Sequence, residues 1–168
     1  MNYGLIKYGD DVNADGMSVT LFPSGCRIGC LGCFNKEAQD ENYGQPFTEQ
    51  TKLEIFNYFT NNFKYIDNLC IIGGHMYEDY NYDECLNLIK EFKEMFQSKK
   101  VIVWTGYEFD YIFKKYRESL DYIDILCDGR FEIDKFKKGL KYVGSTNQLV
   151  YDVQETLKQN KKVLYFEN

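Results

Sequence analysis

The sequence is poor in proline, tryptophan and histidine. Its 168 residues include two prolines, one tryptophan and one histidine. Two prolines and scattered glycines give no linker, and a chain of this length suits one hydrophobic core. We therefore expect a single domain over residues 1–168. A chain with one histidine has little scope for acid–base catalysis by imidazole, although Asp and Glu also serve as bases.

Long apolar runs and an excess of positive charge are also missing. No run of 18 apolar residues occurs, so we expect no membrane span. The N-terminal residues 1–16 are polar and acidic, without the apolar stretch of a secretory signal. The net charge of −6 argues against a surface that neutralises phosphates, so we expect no nucleic-acid partner.

Cysteine, by contrast, is present at six positions. In a small secreted protein, six cysteines would suggest three disulfides. This chain is long enough, and with 44% hydrophobic residues apolar enough, to fold without them. Three of the cysteines also fall within eight residues. We therefore expect reduced thiols and a cytoplasmic protein.

Short apolar runs alternate with helical patterns along the chain. Thr48 or Thr51 is a candidate cap for the first helix, whose apolar face reads Leu53, Phe56, Phe59 and Phe63. Asn81, with Glu84 three residues on, resembles a capping pair for the second helix. The segment 141–168 predicts one or two short strands and a short helix around residues 154–158. The main predicted strands are 18–22, 69–72, 101–104 and 123–127, and the helices are 48–62, 81–96 and 108–118.

This alternation predicts an α/β fold with a parallel sheet and right-handed crossovers. Ligands of such sheets bind at the carboxyl ends of the strands. Each predicted strand is followed by a distinctive segment, so all four segments are expected on one rim. They are the cysteine loop after residue 22, Gly73-Gly74, Thr105-Gly106 and Asp128-Gly129.

The cysteine loop has the spacing C-x3-C-x2-C, formed by Cys26, Cys30 and Cys33. Structural zinc sites take four protein ligands, typically from two separated C-x2-C pairs. A second pair is absent here, and Cys70, Cys85, Cys127 and His75 each stand alone. Three thiolates can instead hold three irons of a [4Fe–4S] cluster and leave the fourth iron open. An amino acid can chelate that iron through its amino and carboxylate groups, and S-adenosylmethionine carries both.

This loop resembles that of the radical S-adenosylmethionine superfamily, and the chain more narrowly resembles the activating proteins of anaerobic ribonucleotide reductase. The resemblance covers most of the chain. The matching segments are Asp15-Gly16, Ser24-Gly25-Cys26, Gly32-Cys33-Phe34-Asn35, Ile72-Gly73-Gly74, Trp104-Thr105-Gly106-Tyr107, Asp128-Gly129-Arg130-Phe131-Glu132 and Gly144-Ser145-Thr146-Asn147-Gln148.

The resemblance implies a compact, incomplete parallel β/α barrel of the radical S-adenosylmethionine type. It implies that the cysteine trio ligates a [4Fe–4S] cluster and that S-adenosylmethionine chelates the open iron. An external one-electron donor would reduce the cluster, and cleavage would give methionine and a 5′-deoxyadenosyl radical. That radical would take hydrogen from a glycine Cα of the large reductase subunit. No catalytic side chain is predicted, because the cofactors carry the chemistry.

Further cofactor-binding residues follow from the same resemblance. Phe34 and the backbone of Gly32 are candidates for the adenine side. The backbones of Gly73 and Gly74 are candidates for the amino group of methionine, although His75 stands where the superfamily usually has Glu or Asp. Thr105 is a candidate cofactor ligand or a helix cap, and Asp128 a candidate contact to ribose or the partner. His75 is either a ligand, a proton relay or a polar residue at a strand end.

Two rival functions remain at this stage. One is a related radical enzyme that activates another glycyl radical enzyme or acts on a small molecule. The other is a module that binds a metal or a cluster and mediates an interaction without catalysis. The three cysteines on apolar segments, Cys70, Cys85 and Cys127, are expected to fill the core.

Overall fold

A computed structural model of the chain describes residues 1–167, which form a seven-stranded mixed sheet and four α-helices. The predicted α/β class is confirmed. The strands are β1 (Asn2–Asp10), β2 (Ser18–Pro23), β3 (Gln45–Pro46), β4 (Asn68–Ile71), β5 (Lys100–Trp104), β6 (Ile125–Asp128) and β7 (Leu149–Asp152), and the helices are α1 (Glu49–Asn61), α2 (Asp79–Met95), α3 (Phe109–Lys115) and α4 (Val153–Gln159).

The sheet has the order β3-β1-β2-β4-β5-β6-β7. The pairs β2–β4, β4–β5 and β5–β6 are parallel, as predicted, whereas β1, β3 and β7 pair antiparallel with their neighbours. The prediction of a wholly parallel sheet is therefore wrong at both edges. A short loop, 11–17, joins β1 to β2, and parallel neighbours need a longer crossover, usually a helix.

Strand β1 has no counterpart among the predicted strands. Gly4 and Gly9 interrupt its sequence, and most of its residues are only half-buried, so no clear alternation of apolar and polar residues results. At its end, the buried Asp10 accepts hydrogen bonds from the side chains of Lys7 and Thr20, both at 2.6 Å. These bonds fix the turn from β1 into β2.

The helices largely follow the predicted positions, with changes at their ends. Thr48 is the cap of α1, and its side chain and that of Thr51 form a reciprocal capping box. Leu53 and Phe63 were expected on the buried face of α1 but are exposed, and Ile55 is buried instead. The third helix is shorter than predicted because a 3₁₀ turn, Arg117–Asp121, replaces its last part. None of the helices among residues 1–167 is long and apolar enough to cross a membrane.

Alternate residues of the central strands point to opposite faces of the sheet. Leu69, Val101 and Val103 belong to the larger core, to which all four helices contribute. Their neighbours Cys70 and Ile102 belong to a smaller cluster on the other face. That cluster is covered by Trp104, Tyr142, Val143, Tyr165 and Phe166. The helices therefore cover one face, and the chain after β6 covers the other.

Candidate cofactor-binding site

A cavity of about 230 Å³ lies at the carboxyl ends of the four parallel strands. All four segments predicted to share one rim contribute to its wall, so that prediction is confirmed. The lining residues are Cys26, Ile28, Cys30, Cys33, Phe34, Asn35, Ile72, Gly73, Gly74, His75, Trp104, Thr105, Gly106, Gly129, Phe131, Tyr142, Val143, Gly144 and Gln148.

The three loop cysteines line this cavity as free, half-buried thiols. Burial raises the pKa of Cys26, whereas hydrogen bonds from the backbone N–H groups of Ile28 and Gly29 act to lower it. Backbone donors of this kind stabilise a thiolate and tune a cluster bound to it. The loop thus directs two backbone donors at the sulfur of Cys26.

Hydrogen bonds to two other parts of the chain hold the cysteine loop in place. The backbone N–H of Gly25 donates to the carbonyl of Ala38 at 2.7 Å, and that of Cys26 donates to Gln39 at 3.1 Å. From the opposite side of the cavity, Arg130 Nη2 donates to the carbonyl of Gly29 at 3.0 Å. The start and the middle of the loop are therefore fixed by the rest of the fold.

Gly32 stands between the second and third cysteine and has a φ of +77°, which disfavours any side chain. A Cβ atom there would lie 3.0 Å from Ile133 Cδ1. Gly32 is not among the residues that line the cavity, and its place next to adenine stays a prediction. Phe34 does line the cavity, with 88% of its surface exposed.

The cysteine loop presents three thiols, the donor type that holds iron–sulfur clusters. Within residues 1–167, no three His, Cys, Asp or Glu side chains lie close enough together to hold one metal ion. A zinc ion draws its thiolates together, because each Zn–S bond is only about 2.3 Å long. The ligands of a four-iron cube stand farther apart. Three thiols that line one cavity can supply three of the ligands of such a cube.

The two glycines after β4 have different surroundings. Gly73 and Gly74 both line the cavity, as the sequence predicted. A Cβ atom on Gly74, however, would lie 2.2 Å from the carbonyl oxygen of Pro23. The backbone of Gly74 donates to that same oxygen at 2.9 Å, and His75 N–H donates to Gly25 at 2.9 Å. Gly74 is therefore required for the close packing of this turn against the start of the cysteine loop.

Asn81 contributes to this packing from inside α2. The predicted capping role of Asn81 is wrong, because α2 begins at Asp79, and Asn81 is fully buried. Its Nδ2 donates to the carbonyls of Ser24 at 2.9 Å and His75 at 3.0 Å. One amide side chain thus joins the cysteine loop to the turn after β4. The burial of Asn81 depends on tertiary contacts that its sequence neighbours do not indicate.

His75 and Thr105 lie side by side in the cavity wall. His75 is 1% exposed, and its Nε2 lies 2.8 Å from Thr105 Oγ1. Burial lowers the pKa of His75 to about 4, although Glu78 nearby acts to raise it. Thr105 does not cap α3, since the N-cap of that helix is Glu108. Instead, its Oγ1 accepts from the backbone N–H of Tyr107 at 3.1 Å.

Asp128 is buried behind the cavity wall and is not among the lining residues. Its Oδ2 accepts from the backbone N–H of Phe109 at 2.8 Å, and its Oδ1 accepts from Leu149 at 3.2 Å. Burial raises the pKa of this carboxyl, against the lowering effect of the two hydrogen bonds. Asp128 joins β6 to α3 and β7, and its contact with a ligand or partner stays a prediction.

Several wall residues were not predicted as site residues. The ring of Trp104 stacks on that of Tyr142 with centroids 6.0 Å apart, and Trp104 Nε1 donates to the carbonyl of Tyr142 at 2.6 Å. Gln148 Nε2 donates to Gly129, and its Oε1 accepts from Gly144. Trp104 and Gln148 lie in motifs quoted above. Tyr142 lies in an irregular segment, and no local pattern indicates its position.

Comparison with protein-family models identifies the broad class of protein to which the chain is similar. The chain matches the family model described as a 4Fe-4S single cluster domain over residues 12–151. This match supports an iron–sulfur cluster as the cofactor. No solved structure shows a significant match to the chain.

Curated relatives narrow the class to one family. The anaerobic ribonucleoside-triphosphate reductase-activating protein of Enterobacteria phage T4 is 36% identical over 151 residues, which cover 90% of this chain and 94% of the relative. The protein of the same name from Escherichia coli (strain K12) is 33% identical over 154 residues, covering 92% of this chain and 100% of the relative. That from Pasteurella multocida (strain Pm70) is 35% identical, covering 90% and 97%. The chain therefore belongs to the family of anaerobic ribonucleoside-triphosphate reductase-activating proteins.

Proposed function

We propose that this chain activates an anaerobic ribonucleotide reductase by generating a glycyl radical on its large subunit. One observation carries the proposal. The three thiols of the C-x3-C-x2-C loop line a single cavity together with the segments that follow the next three parallel strands. The names of the relatives identify the same target enzyme.

Cys26, Cys30 and Cys33 would hold three irons of a [4Fe–4S] cluster and leave the fourth iron for S-adenosylmethionine. Held by these residues and reduced by an external donor, such a cluster would supply the one electron that cleaves S-adenosylmethionine to methionine and a 5′-deoxyadenosyl radical, and that radical would take hydrogen from a glycine Cα of the reductase. The chain itself binds and orients these groups and limits the access of water to them. Its thiols must be reduced for this purpose, which supports a cytoplasmic location.

The remaining cavity residues would position S-adenosylmethionine. The backbone at Gly73 and Gly74 is proposed for the amino group of methionine, and Thr105 for a polar group of the same ligand. Phe34 and Gly32 are proposed for the adenine side. The stacked rings of Trp104 and Tyr142 form a further apolar wall of the kind that excludes water. Asp128 is proposed to contribute from behind this wall, where its hydrogen bonds to the backbone of Phe109 and Leu149 hold these segments together.

The surroundings of the cavity support a protein as the substrate. Leu31 and Phe34 in the cysteine loop are 75% and 88% exposed, and Ile133 and Phe136 nearby are 44% and 52% exposed. Ile133 packs beside Gly32, which connects these side chains to the loop. Exposed apolar groups of this size often mark a surface that a partner covers.

We also propose that residues 1–168 form one domain of the incomplete-barrel type. Parallel strands β2, β4, β5 and β6 with helices on one face support this assignment. The second face, closed by the chain after β6, would correspond to the inside of the barrel.

The proposal is tested by isotope transfer under anaerobic conditions. The reconstituted protein is mixed with S-adenosylmethionine, a strong reductant and a large reductase subunit deuterated at its glycine Cα atoms. We expect deuterium in 5′-deoxyadenosine and a glycyl radical signal in the electron paramagnetic resonance (EPR) spectrum. Unlabelled 5′-deoxyadenosine and no glycyl radical signal in the presence of the deuterated reductase would contradict this target and favour another glycyl radical enzyme or a small molecule as the substrate. An absence of cleavage under all conditions would favour a non-enzymatic module.

A further inference from the structure

A buried histidine connects the cavity wall to a buried carboxylate. On one side of the ring, His75 Nε2 lies 2.8 Å from Thr105 Oγ1. On the other side, His75 Nδ1 lies 3.5 Å from Glu78 Oε1 and has no hydrogen-bond partner among the described residues. His75 and Glu78 are 1% and 3% exposed, so water does not freely solvate either group.

The carboxylate of Glu78 is itself held by the cysteine loop. Its Oε1 accepts from the backbone N–H of Arg27 at 2.7 Å, and the Arg27 guanidinium lies 3.5 Å from Oε2. An N–H donor and a guanidinium are the partners of a carboxylate. Although Glu78 is the N-cap residue of α2, its side chain makes no capping bond to that helix. The carboxylate is directed at the loop and at His75 instead.

The imidazole of His75 is neutral near pH 7, because burial lowers its pKa to about 4. A neutral ring carries one proton, on either Nδ1 or Nε2. With the proton on Nε2, the lone pair of Nδ1 would face the negative charge of Glu78 at 3.5 Å in a buried site. With the proton on Nδ1, the same position becomes an N–H 3.5 Å from a carboxylate oxygen, and the interaction between the two is electrostatically attractive.

The choice of tautomer determines what Thr105 offers to a ligand. When Nδ1 carries the proton, Nε2 is an acceptor, and the Thr105 hydroxyl donates its proton to it. Oγ1 also accepts from the N–H of Tyr107, which leaves one acceptor position on that oxygen. In the other tautomer, Nε2–H donates to Oγ1, and the hydroxyl proton of Thr105 is free to be donated to a ligand.

We propose that Glu78, acting through the Nδ1–H tautomer of His75, fixes Thr105 as a hydrogen-bond acceptor toward the cavity. Glu78 and His75 are thus positioning residues, and Thr105 selects a ligand that presents a donor, such as an ammonium group or a sugar hydroxyl. The ligand assignment rests on the proposed function, since S-adenosylmethionine carries both kinds of donor. Glu78 lies three residues beyond His75, at the N-cap of α2, and places a negative charge behind the same wall.

The first test is nitrogen NMR of the imidazole, because this chain has a single histidine and gives one unambiguous set of ring signals. The full chain is labelled with ¹⁵N-histidine and measured with and without a reconstituted cluster. We expect the Nδ1–H tautomer in the wild type and a shift toward Nε2–H in Glu78→Gln. The matched control is Asp79→Asn, since Asp79 also faces Arg27, at 3.8 Å, but is 86% exposed. Nε2–H in the wild type, or an unchanged tautomer in Glu78→Gln, would overturn the proposal.

The second test measures the affinity of the cluster-loaded protein for S-adenosylmethionine. Thr105→Val removes the acceptor and is expected to weaken binding about tenfold, whereas Thr105→Ser keeps the hydroxyl and is expected to stay close to the wild type. Equal affinities in all three proteins, at equal iron content, would overturn the role of Thr105. If Glu78→Gln fails to fold, the tautomer of the wild type and the affinities of Thr105→Val and Thr105→Ser still test the proposal. A wild type that takes up no cluster would refute the proposed function and leave the NMR result to stand by itself.

Discussion

The cysteines of this protein occupy two regions with different physical surroundings. Cys26, Cys30 and Cys33 lie half-buried in the loop that follows β2, at the carboxyl end of that strand, and they line a cavity. The remaining three, Cys70, Cys85 and Cys127, are completely buried in strands and a helix. The same side chain is therefore available to a metal in one region and serves as a small apolar group in the other.

Burial accounts for much of the difference in how readily these thiols ionise. It raises the pKa of both Cys70 and Cys85 to about 12, and that of Cys127 well above its ordinary value. A thiol that does not ionise is neither a good nucleophile nor a ready metal ligand. In the loop, two backbone N–H groups are directed at the sulfur of Cys26. The comparison shows that accessible sulfur and nearby backbone donors, rather than the number of cysteines, define the candidate site.

The strongest test of this difference between the two groups of cysteines is to remove one cysteine from each region. Cys30→Ala is expected to abolish cluster binding and cleavage of S-adenosylmethionine together, because two thiolates cannot replace the proposed three. Cys85→Ala, the control, is expected to retain both. Iron content, visible absorption and 5′-deoxyadenosine formation are measured after anaerobic reconstitution. Cleavage retained in Cys30→Ala would contradict the assigned ligand set.

A second prediction uses alkylation of the cluster-free protein at pH 8. The thiolate is the reactive form, and a pKa of about 12 leaves roughly one in ten thousand of the Cys70 and Cys85 thiols ionised. A short exposure to iodoacetamide should therefore modify the half-buried Cys30 and Cys33 at least about a hundredfold faster than the buried cysteines, and Cys26 less rapidly, because burial raises the pKa of its thiol as well. Peptide mass spectrometry identifies the sites. Equal labelling of both regions in folded protein would remove the distinction on which the site rests.

The smallest effect concerns two buried cysteines with different neighbours. The neighbouring hydroxyls of Ser18 and Thr20 act to lower the pKa of Cys70, whereas only burial and nearby charges change the pKa of Cys127. Replacement by serine buries a hydroxyl, which costs about 1–3 kcal/mol of unfolding free energy when it finds no partner. We expect Cys127→Ser to be the more destabilised variant, by about 1 kcal/mol relative to Cys70→Ser. Urea unfolding measures the difference, and the opposite order would contradict this account.

The sequence allowed the central part of the fold to be predicted because its signals are local. The runs at 69–72 and 101–104 are short, apolar and bounded by glycine, and both lie on parallel strands. The C-terminal strand and helix, Leu149–Asp152 and Val153–Gln159, also lie where they were expected. The edge strands were less predictable, because pairing direction depends on loop length and half-buried residues give weak periodicity.

The candidate site shows the same division. The spacing of the cysteines identified the loop. The rule that ligands bind at the carboxyl ends of strands predicted that four segments share one rim, and all four line one cavity. The contribution of Tyr142 depends on where a long irregular segment crosses the second face of the sheet. Asn81 has the sequence context of a cap, yet its amide joins two loops. The partners of both residues are remote in sequence, so local patterns do not indicate them.

The central claim is that the loop cysteines hold a [4Fe–4S] cluster with one iron open to S-adenosylmethionine. The most direct measurement is EPR spectroscopy of the anaerobically reconstituted and reduced protein, before and after addition of S-adenosylmethionine. We predict about four irons and four sulfides per chain and a spectrum that changes on addition, because the ligand binds the open iron. A chain that takes up zinc or no metal, or whose cluster spectrum is the same with and without S-adenosylmethionine, would contradict the account.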